Sequence, residues 1–273
     1  MEKEYPQHRD KELEDRIHEA IDSGNKVWVV GDIHGYRRTL EALVQRLDLQ
    51  ENDLLICLGD MVDRGPDSVG VVGLFMNQIN WYALLGNHEE MMMIDWSKTN
   101  GFGNYSTNGF WSSEKPLSRK KMLEIMGFVG SLPTEIVLER FRLVHAGYAD
   151  MPYSTSLDEQ TDEQRLWSRD IFTVAYPLDP DRTIIVGHTI IQNYGIVDDD
   201  TVWSSSRSLS DGSPSAIGID TGIFLKENKN PRITAIELNS GLVISQKRIN
   251  PEKSRERSRR NDFSLSTSRV EDF

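Results

Sequence analysis

Polar side chains follow the apolar runs of this sequence at five places, and their types suit one kind of chemistry. Carboxylate, imidazole and amide ligands without a thiolate suit Mn²⁺, Fe or Zn²⁺. The ligand candidates in this sequence are more numerous than one tetrahedral ion needs. Their number matches two cations that share a carboxylate, as in hydrolases that cleave phosphate esters. They lie in the motifs GDIHG, GDMVDRG, GNHE, VHAG and VGHT: Asp32, His34, Asp60, Asn87, His88, His145 and His188.

Each of these residues also has an ordinary structural explanation. Asp32 could cap the helix that follows it, Asn87 could form a turn, and a lone histidine is more often a hydrogen-bonded structural residue than a ligand. Arg64 and Arg169 could be solvated loop charges, although beside a metal pair each would offer a planar fork to phosphate oxygens. Suitable ligand types at five strand ends are improbable as capping alone, so the sequence favours a metal site.

The elements that would position these residues are strands and helices in alternation. Three apolar runs, KVWVV, DLLICLGD and WYALLGN, each lead into a polar loop and then a probable helical segment. This order indicates βαβ units with buried strands, whose carboxyl ends are where such sheets bind ligands. An amphipathic helix from about His8 to Asp22 is predicted to precede them.

Later segments predict further strands. TEIVLERFRLVHAG has the pattern of a hairpin, and RTIIVGHT that of a strand ending at His188. SAIGIDTGIFL and RITAIELNSGLVISQKRI alternate apolar and polar residues, which predicts half-exposed antiparallel strands. The intervening SRKKMLEIMGFVGSLP is predicted to be helical.

Composition narrows the class of protein. The chain has 273 residues, 38% of them hydrophobic, and a formal net charge of -12. This charge disfavours a nucleic-acid or anionic-membrane surface, and no apolar run reaches the roughly 20 residues of a membrane span. The single cysteine, Cys57, fits a reducing compartment. We therefore expect a cytoplasmic protein with no nucleic-acid, membrane or obligate protein partner.

In this order, the motifs resemble the signature of the phosphoprotein phosphatase family of metallophosphoesterases. The resemblance runs from about Lys26 to Ile249, and the compact length with GIDTGIF is most similar to the bacterial and bacteriophage branch of serine/threonine protein phosphatases. It implies an α/β fold with layered α+β character: a central β-sandwich of mixed sheets flanked by helices, with the active site at the carboxyl ends of strands. The resemblance, the helical spacing before it and the loss of apolar periodicity after it together predict a helical extension at 1–25, a catalytic domain at 26–250 and a disordered tail at 251–273.

The resemblance assigns roles to individual residues and implies two divalent cations, Mn²⁺ or alternatively Fe or Zn²⁺. The resemblance implies that one cation is bound by Asp32, His34 and the bridging Asp60. The other cation is bound by Asp60, Asn87, His145 and His188. Arg64 and Arg169 match the phosphate-binding arginines, His88 the acid that protonates the leaving oxygen, and Asp63 the carboxylate that holds His88. The implied reaction is direct attack by a hydroxide that bridges the two metals.

Three functions are compatible with these residues. The first is a protein phosphatase for phosphoserine and phosphothreonine, extending to phosphotyrosine, with a phosphoprotein or phosphopeptide as its substrate. The second is a hydrolase of dinucleoside polyphosphates such as diadenosine tetraphosphate, and the retained Asp63 favours the first over it. The third, a binding module on a degenerate phosphatase fold, is disfavoured because no ligand is missing.

Two surface segments are predicted to influence substrate choice. One contains Phe102, Tyr105, Phe110 and Trp111, which would form a small satellite core or line a pocket. The other is YADMPYSTSLDEQTDEQRLWSRD. The basic stretch SRERSRRNDFSLSTSR could recruit an acidic partner, but a solvated terminus is the favoured interpretation.

Overall fold

Two mixed five-stranded sheets form the centre of the molecule. The computed structural model describes residues 8–99, 101, 117–151 and 155–249. The first sheet has the order β10-β9-β1-β2-β3 and the second β4-β5-β6-β8-β7. The strands are β1 Val27–Val30, β2 Leu54–Cys57, β3 Trp81–Ala83, β4 Glu135–Val137, β5 Phe141–Val144, β6 Thr183–Val186, β7 Trp203–Ser204, β8 Ala216–Gly218, β9 Arg232–Glu237 and β10 Val243–Lys247.

A helix follows each of the strands β1, β2 and β3 of the first sheet. In the described residues the α-helices are α1 Lys11–Asp22, α2 Arg37–Leu47, α3 Ser68–Asn77, α4 Asn87–Lys98, α5 Arg119–Val129 and α6 Asp162–Trp167. Side-chain caps fix the starts of α3 and α5: Asp67 accepts from the Gly70 amide at 2.8 Å, and Ser118 accepts from the Lys121 amide at 3.2 Å. Both caps satisfy amides that a helix cannot bond internally.

The parallel strands end at the same edge of each sheet. In the first sheet Val30 lies beside Cys57, and Cys57 beside Ala83. In the second, Val144 lies beside Val186, which lies beside Gly218. Polar loops that leave these ends therefore emerge together, as expected where parallel strands share an edge.

Two hydrophobic layers hold the sheets. Val29 and Ile56 of the first sheet pack with Leu143 and Ile185 of the second in one buried cluster, which α1 joins. A second cluster lies between the other face of the first sheet and α2, α3 and α5. Each fully buried aliphatic side chain in these layers contributes about 1.5–3 kcal/mol. The mixed sheets packed face to face with flanking helices confirm the predicted fold class.

The prediction of half-exposed antiparallel strands late in the chain is only partly correct. Strand β8 runs parallel to β6, and all six residues of β9 are buried although β9 does pair antiparallel with β1 and β10. The polar positions of β9 are buried because partners satisfy them. Thr234 lies 2.9 Å from both the Thr221 and Ser245 hydroxyls. The alternation of apolar and polar residues in β9 therefore reflects buried polar side chains that form hydrogen bonds, and no face of this strand is exposed to solvent.

The remaining predictions about architecture concern residues at the margins. The aromatic segment from Phe102 to Trp111 and the tail 251–273 lie outside the described residues, so both stay predictions, as does the division into three segments. No helix in the described part of the chain is long and apolar enough to cross a membrane.

Candidate active site

Loops from six strands meet in a cavity of about 290 Å³ at the carboxyl ends of β1, β2, β3, β5, β6 and β8. It contains most of the residues that the sequence singled out, while His145 is fully buried behind them. The cavity is lined by Asp32, His34, Asp60, Arg64, Asn87, His88, Met91, Trp167, Arg169, His188, Ile190, Asp220 and Phe224.

One group of possible ligands surrounds His34. Its Nδ1 donates to the Val62 carbonyl at 2.9 Å, so its Nε2 carries a lone pair. That nitrogen faces Asp32 Oδ2 at 3.8 Å and Asp60 Oδ2 at 3.7 Å. Asp32 is itself oriented, because its Oδ1 accepts from the His188 amide at 2.9 Å. Three acceptors therefore point at one space.

A second group surrounds Asn87. The ring of His145 donates from Nδ1 to the Leu58 carbonyl at 2.9 Å, which leaves a lone pair on Nε2. That Nε2 lies 2.9 Å from Asn87 Oδ1 and 3.4 Å from Asp60 Oδ1. Nδ1 of His188 lies 3.0 Å from the same Asn87 oxygen. The two oxygens of Asp60 thus face different groups, as in a carboxylate that bridges two cations through both of its oxygens.

The donor set fits two divalent cations. Lone pairs of His145, Asn87 and Asp60 converge without a proton to share, and His34 with Asp32 repeats the arrangement. These lone pairs repel one another, and a cation in each space would be coordinated by them. Oxygen and nitrogen ligands without a thiolate suit Mn²⁺, Fe or Zn²⁺. Gly187 keeps the first space open, because a Cβ there would lie 2.3 Å from Asp32 Oδ1.

The pKa values of the ligand residues point the same way. Burial, with Asp220 and Asp60 nearby, raises the pKa of Asp32 well above its usual value, and burial with Glu89 raises that of Asp60 to about 8. Burial lowers the pKa of His145 to about 3 and, with His145, that of His188 to about 2. Neutral imidazoles are ready ligands, and crowded carboxylates favour nearby positive charge.

His88 differs from the other histidines in its protonation. Burial opposes its charge, but the hydrogen bond from Nδ1 to Asp63 Oδ2 at 2.5 Å and the nearby carboxyl groups of Asp60 and Asp63 outweigh burial and raise its pKa. Its Nε2 faces the cavity, 3.9 Å from Asp60 Oδ2 and 3.4 Å from an Arg64 nitrogen. The environment of His88 therefore favours the protonated ring, unlike that of the other histidines of the cavity.

Arg169 reaches the cavity from α6. A buried Arg165 anchors this helix: its side chain bonds Glu135 Oε2 at 3.3 Å, and its carbonyl accepts from the Ala146 amide at 2.9 Å. The exposed Arg169 follows four residues later and donates to the Trp167 carbonyl at 3.3 Å. The cavity thus contains both arginines that the sequence suggested.

A match to a known family agrees with this arrangement. The family described as calcineurin-like phosphoesterase matches residues 25–227. The chain belongs to that family. This phosphoesterase is accordingly a hydrolase, and its relatives named as bacterial serine/threonine phosphatases agree with the phosphoprotein phosphatase resemblance.

Individual relatives of the phosphoesterase differ in how much of it they cover. Serine/threonine-protein phosphatase 2 of Salmonella typhimurium is 30% identical over 213 residues, 74% of this chain and 89% of that protein. The symmetrical bis(5'-nucleosyl)-tetraphosphatase of Wigglesworthia glossinidia brevipalpis is 32% identical over 73 residues, 26% of this chain and 27% of that protein. A metallophosphoesterase structure from Sphaerobacter thermophilus superimposes with a TM-score of 0.53 at 16% identity, covering 87% of this chain and 93% of that one, which shows the fold alone.

Two residues of the phosphoesterase site were missed as site residues by the sequence predictions. Glu89 is fully buried, and its carboxylate accepts from the amides of Asp60, Met61, Val62 and Gly86 at 2.8–3.1 Å. Its position as N3 of a capping box in GNHE was the available signal. Asp220 follows β8 and lines the cavity, and burial raises its pKa to about 6. The run AIGID repeats the pattern of an apolar strand followed by aspartate.

Proposed function

We propose that this phosphoesterase is a metal-dependent protein phosphatase that removes phosphate from phosphoserine and phosphothreonine, and also from phosphotyrosine. The observation that carries the proposal is the Asp63–His88 pair, whose hydrogen bond is 2.5 Å and whose other ring nitrogen, His88 Nε2, faces the cavity. A serine or threonine alkoxide is a poor leaving group and needs a proton as the P–O bond breaks. A histidine whose pKa is raised by a carboxylate partner is suited to supply that proton.

The ligand groups divide between two cations in this proposal. Asp32, His34 and Asp60 would hold one, and Asp60, Asn87, His145 and His188 the other. When bound, the cations would neutralise charge on the phosphate and make the attacking water more acidic. Mn²⁺ is the proposed metal, with Fe or Zn²⁺ as alternatives, since all three accept oxygen and nitrogen ligands.

The side chains around the metals would hold the substrate and move its proton. Arg64 and Arg169 both line the cavity and would bind the non-bridging oxygens of the phosphate. His88 donates its Nε2 proton to the departing oxygen while Asp63 keeps the ring oriented. Water attacks phosphorus from the opposite side, which gives inorganic phosphate and the free hydroxyl without a covalent phosphoenzyme.

Hydrolysis of dinucleoside polyphosphates is the second candidate. It is favoured by relatives named bis(5'-nucleosyl)-tetraphosphatase, whose similarity is confined to segments of 65–75 residues. The phosphatase relative instead matches over 89% of its own length. Phosphoanhydride cleavage releases a stable nucleotide anion and depends less on an acid. The His88–Asp63 pair and the extent of similarity together support the phosphatase.

A direct comparison of substrates tests the proposal. The Mn²⁺-loaded enzyme should hydrolyse a phosphoserine peptide with a higher kcat/KM than diadenosine tetraphosphate. Phosphopeptide turnover a hundredfold the weaker would reverse the order of the two candidates. Absence of turnover of p-nitrophenyl phosphate by protein that binds two Mn²⁺ would contradict both.

The proposed surroundings of the enzyme follow from the same features. A phosphoprotein or phosphopeptide is its proposed partner, and the cytoplasm its proposed location. Cys57 is the single cysteine of the sequence and is a free, buried thiol, which supports a reducing compartment.

A further inference from the structure

Phe224 lies against Arg64 inside the cavity. It is the last residue of the run GIDTGIF, and none of the metal, phosphate or acid roles that the resemblance implies falls on it. The guanidinium carbon of Arg64 is 4.1 Å from the centroid of the Phe224 ring. The same ring meets His34 edge-on, with centroids 5.1 Å apart and planes at 80°. Phe224 belongs to the segment after β8, so the second sheet supplies this contact to a loop of the first.

Arg64 has few other restraints. Its backbone is left-handed, with φ of 64°, and its side chain is exposed. Among the described residues its side chain has one hydrogen-bond contact, to His88 Nε2 at 3.4 Å, and no carboxylate within ion-pair distance. The charge of Arg64 does act on Asp220 of the same cavity, where it partly offsets the rise in pKa that burial causes. A long, exposed side chain with no carboxylate in direct contact would sample many rotamers, and ordering it on substrate binding would cost free energy.

We infer that Phe224 is a positioning residue that holds the Arg64 guanidinium in place for the substrate phosphate. The inference rests on the proposed function, because it gives Arg64 a phosphate to bind. The N–H donors of a guanidinium group lie in its plane, whereas an aromatic ring attracts the flat face of the guanidinium group. Contact with Phe224 therefore restrains the cation without consuming a donor, and it leaves the fork available for two phosphate oxygens.

A role in packing alone is the competing explanation. Phe224 is half-buried and packs against the hydrophobic cluster between the first sheet and its helices. A pure packing role predicts lost stability with unchanged phosphate affinity. Positioning predicts weaker phosphate binding that depends on Arg64.

The test uses the full-length Mn²⁺-loaded protein and inorganic phosphate as the probe. Phe224→Leu keeps an apolar side chain but removes the ring, and Phe224→Tyr restores the ring. We expect Phe224→Leu to weaken phosphate binding, measured by calorimetry and by product inhibition, roughly three- to tenfold. With p-nitrophenyl phosphate, KM should rise more than kcat falls. Phe224→Tyr should bind phosphate within about twofold of wild type, as expected if the ring face carries the effect.

Two comparisons separate positioning from packing. Phe128→Leu makes the same change at another half-buried phenylalanine of the same cluster, in α5 and outside the cavity lining, and it should leave phosphate affinity unchanged. In an Arg64→Ala background, Phe224→Leu should cause no further loss, because the two residues act as a unit.

Specific results would overturn the inference. Equal losses from Phe224→Leu with and without Arg64, failure of Phe224→Tyr to restore binding, or an equal loss from Phe128→Leu would each make Phe224 a packing residue. Calorimetry keeps this outcome distinct from failure of the proposed function. An enzyme that hydrolyses no phosphate ester contradicts the function, while its phosphate affinity still tests Phe224.

Discussion

Five residues of the candidate site and its acid pair have left-handed backbone conformations, although none is glycine. They are His34, Asp60, Asp63, Arg64 and His188, with φ between 47° and 71°. This conformation costs an L-residue about 1–2 kcal/mol, so the surrounding structure must hold it in place. This conformational free-energy cost is concentrated in the loops after the strands, where the backbone must direct the side chains of the site into the cavity.

Asp60 is the residue on which both ligand groups depend. Asp60→Asn keeps the size of the side chain but removes the charge that faces His34 and His145. Turnover of p-nitrophenyl phosphate should fall by more than about a hundredfold, because a bridging ligand serves both cations. Metal analysis should show less than two Mn²⁺ per chain. Half of the wild-type activity in this variant would contradict the two-metal assignment.

His88 should matter in proportion to the leaving group. His88→Asn removes the acid without removing a proposed ligand, so Mn²⁺ content should stay unchanged. Hydrolysis of a phosphoserine peptide should slow by about 10²- to 10⁴-fold, and p-nitrophenyl phosphate much less, since nitrophenolate leaves without a proton. Equal slowing of both substrates would argue against the acid role.

At the scale of elements, the start of α4, which follows β3, holds the loop that follows β2. Glu89 of this helix accepts from the amides of Asp60, Met61 and Val62, so one carboxylate fixes the loop that carries Asp60. Glu89→Gln replaces an acceptor oxygen by an amide donor that faces backbone N–H groups. It should lower the free energy of unfolding by about 1–3 kcal/mol and weaken Mn²⁺ binding.

A matched change in α5 provides the control for Glu89. Glu124 has a partly exposed side chain near Lys120 and Lys121, so Glu124→Gln should alter stability by less than about 0.5 kcal/mol. Guanidinium unfolding and Mn²⁺ titration give both quantities. Wild-type stability and Mn²⁺ affinity in Glu89→Gln would show that the carboxylate does not hold the loop.

The elements also show how far the sequence could be interpreted. Strands β1 and β2 were predictable because runs such as Val27–Val30 are apolar at every position, which only a strand buried on both faces tolerates. The direction of β8 was not predictable, because its pairing partner β6 lies far away in the chain. The burial of β9 was not predictable either, because polar residues such as Thr234 are satisfied only by tertiary hydrogen bonds.

The same limit applies to the site. Ligand types repeat in short motifs, so their candidates could be named before the structure. Phe224 and Arg64 are 160 positions apart, and no local pattern signals that a ring from one sheet meets an arginine from the other. Such contacts arise from the packing of the two sheets.

At the scale of the whole molecule, Glu135 links the N-terminal segment to the second sheet and α6. This buried carboxylate contacts His8, Arg142, Tyr148 and Arg165. Burial alone would raise its pKa, but the hydrogen bond from His8 and the charge of Arg142 outweigh burial and lower it from 4.5 to about 2. The charged form is therefore favoured by folding.

The pH dependence of stability follows from that lowered pKa. A depressed pKa stabilises the folded state above the unfolded value of 4.5, and the stabilisation is lost as pH falls towards 2. Glu135→Gln should lower the free energy of unfolding by about 3 kcal/mol at pH 7 and by about half that at pH 3. Guanidinium titrations of both proteins measure the difference. A difference independent of pH would contradict the ionic role.

Metal binding should stabilise the whole fold. Cations that bind only the folded chain at a hundred times their Kd add about 2.7 kcal/mol per site, which raises the Tm by roughly 5–10 °C for a chain of this size. Mn²⁺ should therefore raise the Tm, and EDTA should reverse the rise. Asp60→Asn should lose most of this response. A Tm unaffected by Mn²⁺ would contradict metal binding to the folded state.

The division of the ligands between the sheets has a consequence for the order of assembly. Asp32, His34 and Asp60 belong to the first sheet and leave the ribosome before half of the chain is made, whereas His145 and His188 come from the second sheet much later. The proposed first cation takes its ligands from the early part of the chain, although the amide of His188 in the second sheet orients Asp32. The proposed second cation needs ligands from both sheets, so it would bind only after the two sheets have packed together. Its occupancy would therefore report that the two halves of the chain have assembled.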